Sequence, residues 1–225
     1  MRTLVLVHSP LVGPSAWRPA GESLAARGFG VVIASPLGGL ADGPPLHAAF
    51  ARAVAGETPD GAVLVVHSGA GALVPAIAAA AEGRVTGAVY VDALLPHPGR
   101  TWFDTAPSEL GAHLRELAED GLLPPWNEWF PPGAVDGLLP DAGPRADFLA
   151  ELPRLPLSYF GETAPEHDAP FPGAYLRLSD GYEEQAAAAE ASSWPVVRED
   201  ADHLAVFTRP RVVAGHVAGL VAAIT

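Results

Sequence analysis

The sequence predicts an α/β fold: a mostly parallel sheet of about six strands flanked by helices, with a helical insertion before the last two strands. Three observations carry this. Short apolar runs alternate with helix-patterned segments along the chain, the order that builds parallel sheets covered on both faces. The runs are continuously apolar, as in Val63-Leu64-Val65-Val66, which is the pattern of strands buried on both sides. The alternation stops only over 97–169, a stretch rich in Pro, Trp and Phe with no convincing strand.

Each element has its own reason. The first strand is expected over 3–7, where Leu4-Val5-Leu6-Val7 follows almost directly on the N-terminus, and a helix over 15–27 follows. A strand over 30–34 and a helix over 45–55 come next. The strand over 62–66 runs into a helix over 69–82, which Pro75 should kink or whose regular hydrogen bonding it should confine to one side, because proline cannot donate to the preceding turn. A strand over 87–91 leads into the insertion, whose amphipathic pieces lie over 107–120 and 144–152 and which ends in an irregular connection over 161–172. Strands over 174–178 and 195–198 enclose a helix over 182–191. The last helix, over 209–223, is marked by Val212, Val213, Val217, Leu220, Val221 and Ile224 at helical spacing, with Thr208 as N-cap and Pro210 in the first turn. The expected organisation is one core made of 1–96 and 170–225, with 97–169 as an insertion and not a separate domain.

Composition narrows the function classes. The 225 residues suffice for one large core. There is no cysteine, so disulfides, thiol catalysis and cysteine-based metal sites are excluded. The net charge is −13 and every basic residue is arginine, which argues against nucleic acid and against anionic lipid as partners. The apolar runs are strand-sized, well short of a membrane span, and no signal-peptide pattern opens the chain, so a cytoplasmic location is expected. The histidines are scattered, no H-E-x-x-H is present, and no G-x-G-x-x-G follows the first strand, so neither a metal nor a nucleotide cofactor is expected. Nothing in the sequence excludes a homodimer.

In open parallel sheets, site residues gather beyond the C-terminal ends of the strands. That rule selects His8-Ser9-Pro10, Ser35, His67-Ser68, Asp92, Ser179-Asp180 and Asp200-Ala201-Asp202-His203. Ser68 sits between an apolar strand and a helix start, with Gly69, Ala70 and Gly71 giving room for a tight turn, which is the form of a nucleophile elbow. Val66 and Ala70 occupy the positions where the usual G-x-S-x-G has glycine. The order Ser, Asp, His along the chain is the one that goes with such an elbow.

On these motifs, with Val7-His8-Ser9-Pro10 and Trp17, Val89-Tyr90-Val91-Asp92-Ala93-Leu94-Leu95-Pro96, and Asp202-His203-Leu204 before the final helix, the chain resembles the α/β-hydrolase superfamily over nearly its whole length. It is most similar to the small cofactor-free branch that holds hydroxynitrile lyases and plant methyl esterases. The resemblance implies that the insertion is a cap over the active site and that ester or thioester hydrolysis is the default activity. It implies Ser68 as nucleophile and His203 as base. The acid is Asp92 or Asp180: relatives usually place it after the fifth strand, near Asp180, and some place it after the fourth, where Asp92 lies and is slightly preferred. His8 matches the family's structural histidine of the oxyanion loop. His67 should point away from Ser68, His97 lies near the same edge, and His47, His113, His167 and His216 read as surface or helix residues.

One departure bears on the chemistry. The oxyanion hole would take the Gly69 N–H and, from the loop after the first strand, the N–H of the residue that here is Pro10, which has none. Leu11 or the hydroxyl of Ser9 would have to substitute. In the insertion, Trp126 and Trp129 with Trp102, Phe103, Phe130, Tyr159 and Phe160 point to a pocket for a hydrophobic, aromatic-type small molecule. A serine hydrolase is therefore expected. Two alternatives remain open: a cofactor-free lyase or bond-forming enzyme of specialised metabolism, and a ligand-binding protein without turnover.

Overall fold

The computed structural model describes residues 1–225 except 132, 136 and 140, and only the backbone at 142. Six strands form one sheet: β1 (Thr3–Val7), β2 (Gly30–Ala34), β3 (Ala62–Ser68), β4 (Val85–Ala93), β5 (Gly173–Arg177) and β6 (Val196–Arg198). Their spatial order is β2-β1-β3-β4-β5-β6 and every pairing is parallel. The chain steps outward from β1 to β2, then crosses back to β3 on the other side of β1. The ends of β1 and β3 therefore part at a switch of direction, with Val7 beside Val66.

Side chains alternate between the two faces. Val5, Val7, Leu64, Val66 and Tyr90 pack toward α2 (Leu46–Gly56), α3 (Val74–Ala80) and α6 (Glu183–Ala191). Leu4, Leu6, Val63, Val65, Val89 and Val91 pack toward α1 (Arg18–Ala25) and α8 (Pro210–Ile224). All these strand residues are buried, and each such side chain contributes about 1.5–3 kcal/mol of transfer free energy. Continuous apolar strands and a doubly covered sheet are thus one observation at two levels.

Several boundaries differ from expectation. The helix over 69–82 is a 3-10 segment, Gly69–Leu73, followed by α3, and Pro75 falls in the first turn of α3, where its missing N–H leaves no bond unmade and no kink is required. The helix over 15–27 likewise divides into a 3-10 turn, Pro14–Ala16, and α1. Thr208 caps nothing: the chain is already helical in α7 (Ala205–Thr208), and the Thr208 hydroxyl donates back to the Leu204 carbonyl at 3.3 Å. Pro210 does open α8.

Between β4 and β5 lie the 3-10 turns Trp102–Asp104, Trp126–Trp129 and Leu157–Gly161 and two helices, α4 (Ser108–Leu117) and α5 (Ala142–Ala150). Leu114, Leu123, Trp129 and Phe160 form one apolar cluster there, and Phe148 with Leu139 packs against Val12, Ala16 and Leu204. Two carboxylates tie this stretch to helix starts elsewhere. Glu162 accepts hydrogen bonds from the N–H groups of Leu46 and His47, both at 2.7 Å, at the start of α2. Glu151 accepts from the Ser15 N–H at 2.7 Å and from Arg18 at 2.6 Å. Each supplies an anion where a helix presents unpaired N–H groups. Among the described residues, no helix is long and apolar enough to cross a membrane.

Candidate active site

Ser68 ends β3 with φ 57° and ψ −128°, a backbone state that L-residues rarely adopt. The elbow closes tightly on its neighbour: a Cβ at Gly71 would stand 2.0 Å from the Leu94 carbonyl oxygen, so glycine is required there. Asp92, one place before the end of β4, is also strained, with φ 43°. Tyr175 pins the residue after it, donating to the Ala93 carbonyl at 2.7 Å while the Ala93 N–H donates to the phenol oxygen at 3.1 Å. Strained residues at adjacent strand ends, each held by specific bonds, are typical of functional sites.

The Asp92 carboxylate is fully buried and fully used. Oδ1 accepts from the N–H groups of Leu178 and Ser179 at 2.7 and 2.9 Å. Oδ2 accepts from the Ser179 hydroxyl at 2.6 Å and from His203 Nδ1 at 2.7 Å. Burial alone would raise its pKa, but the bonds from His203 and Ser179 outweigh it and hold the carboxyl below its ordinary value. Asp180 lies elsewhere: its side chain is 95% exposed and pairs with Arg177 at 3.5 Å. The imidazole of His203 is therefore oriented by Asp92, and Asp180 is no part of the cluster.

Two rings bracket His203. His67 lies 4.6 Å away between centroids, and Tyr182 is parallel to within 2° at 4.9 Å. His67, in the two-residue phase of Val63 and Val65, packs against Trp17 and His203, and its Nε2 donates to the His203 carbonyl at 2.9 Å. Burial, with the neighbouring His203, lowers its pKa to about 3, so it is neutral. His8 is buried too, bonded to the Ser9 carbonyl at 2.8 Å and to the Ser35 hydroxyl at 2.9 Å, with its pKa lowered to about 4 by burial. The Ser68 hydroxyl approaches the Tyr182 hydroxyl at 3.4 Å.

Beyond the elbow, Pro10 has no N–H to give, and the Leu11 N–H is directed at the Ser9 hydroxyl at 3.3 Å. That hydroxyl stands over Gly69: a Cβ built there would lie 3.1 Å from Ser9 Oγ. Because Ser9 Oγ accepts from Leu11, its own proton is available above the first turn after Ser68.

An apolar cleft opens beside this point, walled by Pro10, Leu11, Leu94, Trp102, Tyr159 and Phe160. His47, His97 and Glu162 also reach it. His47, read from the sequence as a surface or helix residue, lies in α2 and is buried; it stacks on Tyr159, burial lowers its pKa to about 4, and neither ring nitrogen has a hydrogen-bond partner among the described residues. A second, smaller hollow brings Trp126 to Ser68 and His203. Trp129 does not line either hollow: it is buried in the cluster with Phe160 and its indole donates to the Pro124 carbonyl at 2.9 Å. Among the described residues no cluster of side chains could hold a metal ion.

No family model matches the chain, and no curated protein sequence does. Solved structures do. An extracellular α/β-hydrolase from a Paenibacillus species, described as sharing structural and functional homology with tobacco salicylic acid binding protein 2, superposes with a TM-score of 0.77 at 18% identity over 98% of this chain and 99% of that one. A pyrethroid hydrolase from Sphingobium faniae gives 0.70 at 21% identity over 97% and 96%. The methylesterase MES16 from Arabidopsis gives 0.65 at 17% identity over 99% of each chain. These likenesses establish the α/β-hydrolase fold.

Proposed function

We propose that this chain, with its α/β-hydrolase fold, is a serine hydrolase that cleaves an ester or thioester of a hydrophobic, aromatic-type small molecule. The observation that carries the reading is the 2.7 Å bond between His203 Nδ1 and the buried Asp92 carboxylate, set beside a serine in an elbow. In this reading, 97–169 is the cap, and the cleft walled by Trp102, Tyr159 and Phe160 receives the acyl part. The hydrolase reading is supported by solved hydrolases and esterases of the same fold.

A serine hydroxyl is too weak an acid to attack unaided at neutral pH. His203 Nε2 takes the Ser68 proton as Oγ adds to the carbonyl carbon, and Asp92 stabilises the imidazolium and fixes its tautomer. Substrate binding draws Ser68 onto His203, a tightening common to sites of this kind. The oxyanion is held by the Gly69 N–H and the Ser9 hydroxyl, the latter standing in for the donor that Pro10 lacks. The imidazolium then protonates the leaving oxygen, the C–O bond breaks, and water repeats the sequence to release the acid from Ser68.

Pro10 also sustains a second reading. If the Ser9 hydroxyl is a poor replacement, acyl transfer loses about a hundred- to a thousandfold in rate. The same residues would then suit a cofactor-free lyase, in which His203 shuttles a proton and the two serines hold a substrate oxygen. Intact-mass analysis after a fluorophosphonate probe decides between them. One adduct that disappears in both Ser68→Ala and His203→Ala is expected for the hydrolase. A folded protein that takes no adduct would favour the lyase.

A further inference from the structure

We propose that Tyr182 is a further catalytic residue of this site, one that donates a hydrogen bond from its phenol to the leaving oxygen of the ester. The inference rests on the serine-hydrolase reading above. Two contacts bring Tyr182 to the reacting atoms: the hydroxyl approach to Ser68 Oγ at 3.4 Å, and the parallel stack on His203. Its place is set by sequence and fold together. The 3-10 turn Asp180–Tyr182 follows directly on Ser179, whose N–H and hydroxyl are both bonded to Asp92, so the loop that fixes the acid also fixes the phenol.

The chemistry available to this phenol is narrow. Burial raises its pKa to about 12, so at neutral pH it is a donor and cannot serve as the base for Ser68. The side of Ser68 toward Gly69 is taken by the Ser9 hydroxyl. Tyr182 stands instead on the His203 side, where the leaving group departs because His203 must protonate it. As the C–O bond breaks, His203 transfers its proton to the leaving oxygen, while the phenol keeps its own and only hydrogen-bonds to that oxygen. Such a donor matters most where the departing oxygen gathers the most charge. That makes the substrate class an ester of an aliphatic alcohol, whose alkoxide is a poor leaving group, over an activated aryl ester.

Tyr182→Phe keeps the ring over His203 and removes only the hydroxyl. The measurement is kcat/KM for the ethyl and the 4-nitrophenyl ester of one arylacetic acid, in wild type and variant, alongside the fluorophosphonate labelling rate. The expected result is that the ethyl to 4-nitrophenyl ratio falls by about tenfold or more in Tyr182→Phe, since nitrophenoxide departs without help. Tyr182→Leu, which also removes the stack, should in addition slow labelling of Ser68. An unchanged ratio in Tyr182→Phe, with wild type labelled normally, overturns the role of Tyr182 and leaves the hydrolase reading standing. A wild type that neither labels nor turns over either ester overturns both.

Discussion

Among the described residues, four hydrogen bonds converge on the Asp92 carboxylate, and one of them comes from His203. The other three hold the oxygens in place whatever the charge on the imidazole. Asp92→Asn should therefore leave the backbone intact, present an amide to His203, and fix the wrong tautomer. The fluorophosphonate labelling rate is expected to fall by about a thousand- to ten-thousandfold, while Asp180→Asn labels like wild type. A large loss in the Asp180 variant would reverse the assignment. At this scale the sequence is informative about Ser68 and His203, because strand ends and chain order locate both. It cannot separate Asp92 from Asp180, since both follow apolar runs, and the positive φ that aims Asp92 leaves no trace in the residues around it. Two histidines were legible in principle. His67 shares the two-residue phase of Val63 and Val65, which face α1 and α8. His47 falls at the helical spacing of Phe50, Ala51 and Val54, the buried face of α2. Tyr182 and Ser179 carry no such mark: they reach the site because β5 lies beside β4.

Among the elements, α2 depends on a residue far away in sequence. Its N-cap is Pro45, which offers no side-chain acceptor, and Glu162 fills that role with both oxygens. Glu162→Ala should cost about 1–2 kcal/mol in urea unfolding and speed amide exchange at Leu46 and His47. Exchange that stays slow at both amides would show that another group caps the helix. Strand identities and a mostly parallel sheet were readable from apolar runs and their spacing. The division of helices into 3-10 and α segments was not, because the buried positions of 69–82 suit either winding; the close approach of Gly71 to Leu94 is a contact between elements and not a local preference.

For the whole molecule, three buried neutral histidines link stability to pH. His8 and His47 are lowered to about 4 and His67 to about 3, in each case chiefly by burial. Their folded pKa values lie below the unfolded one, so the unfolded chain binds more protons as pH falls. Their contribution is whole above pH 6.5 and is lost progressively as pH drops toward 4. At about 1.4 kcal/mol per unit, each costs on the order of 3 kcal/mol by pH 4. Together that rivals the total stability of an ordinary domain, about 5–15 kcal/mol. The urea midpoint should hold from pH 8 to 7 and fall steadily below 6.5; a flat profile down to pH 5 would contradict the burial of these rings. The two glutamate ties have a consequence of another kind. They join residues 116 and 136 positions apart, Leu46 with Glu162 and Ser15 with Glu151. Contacts that close such long loops form late. During refolding the sheet can assemble first and the stretch between β4 and β5 dock afterwards, so Trp102, Trp126 and Trp129, three of the five tryptophans, would reach their final surroundings last.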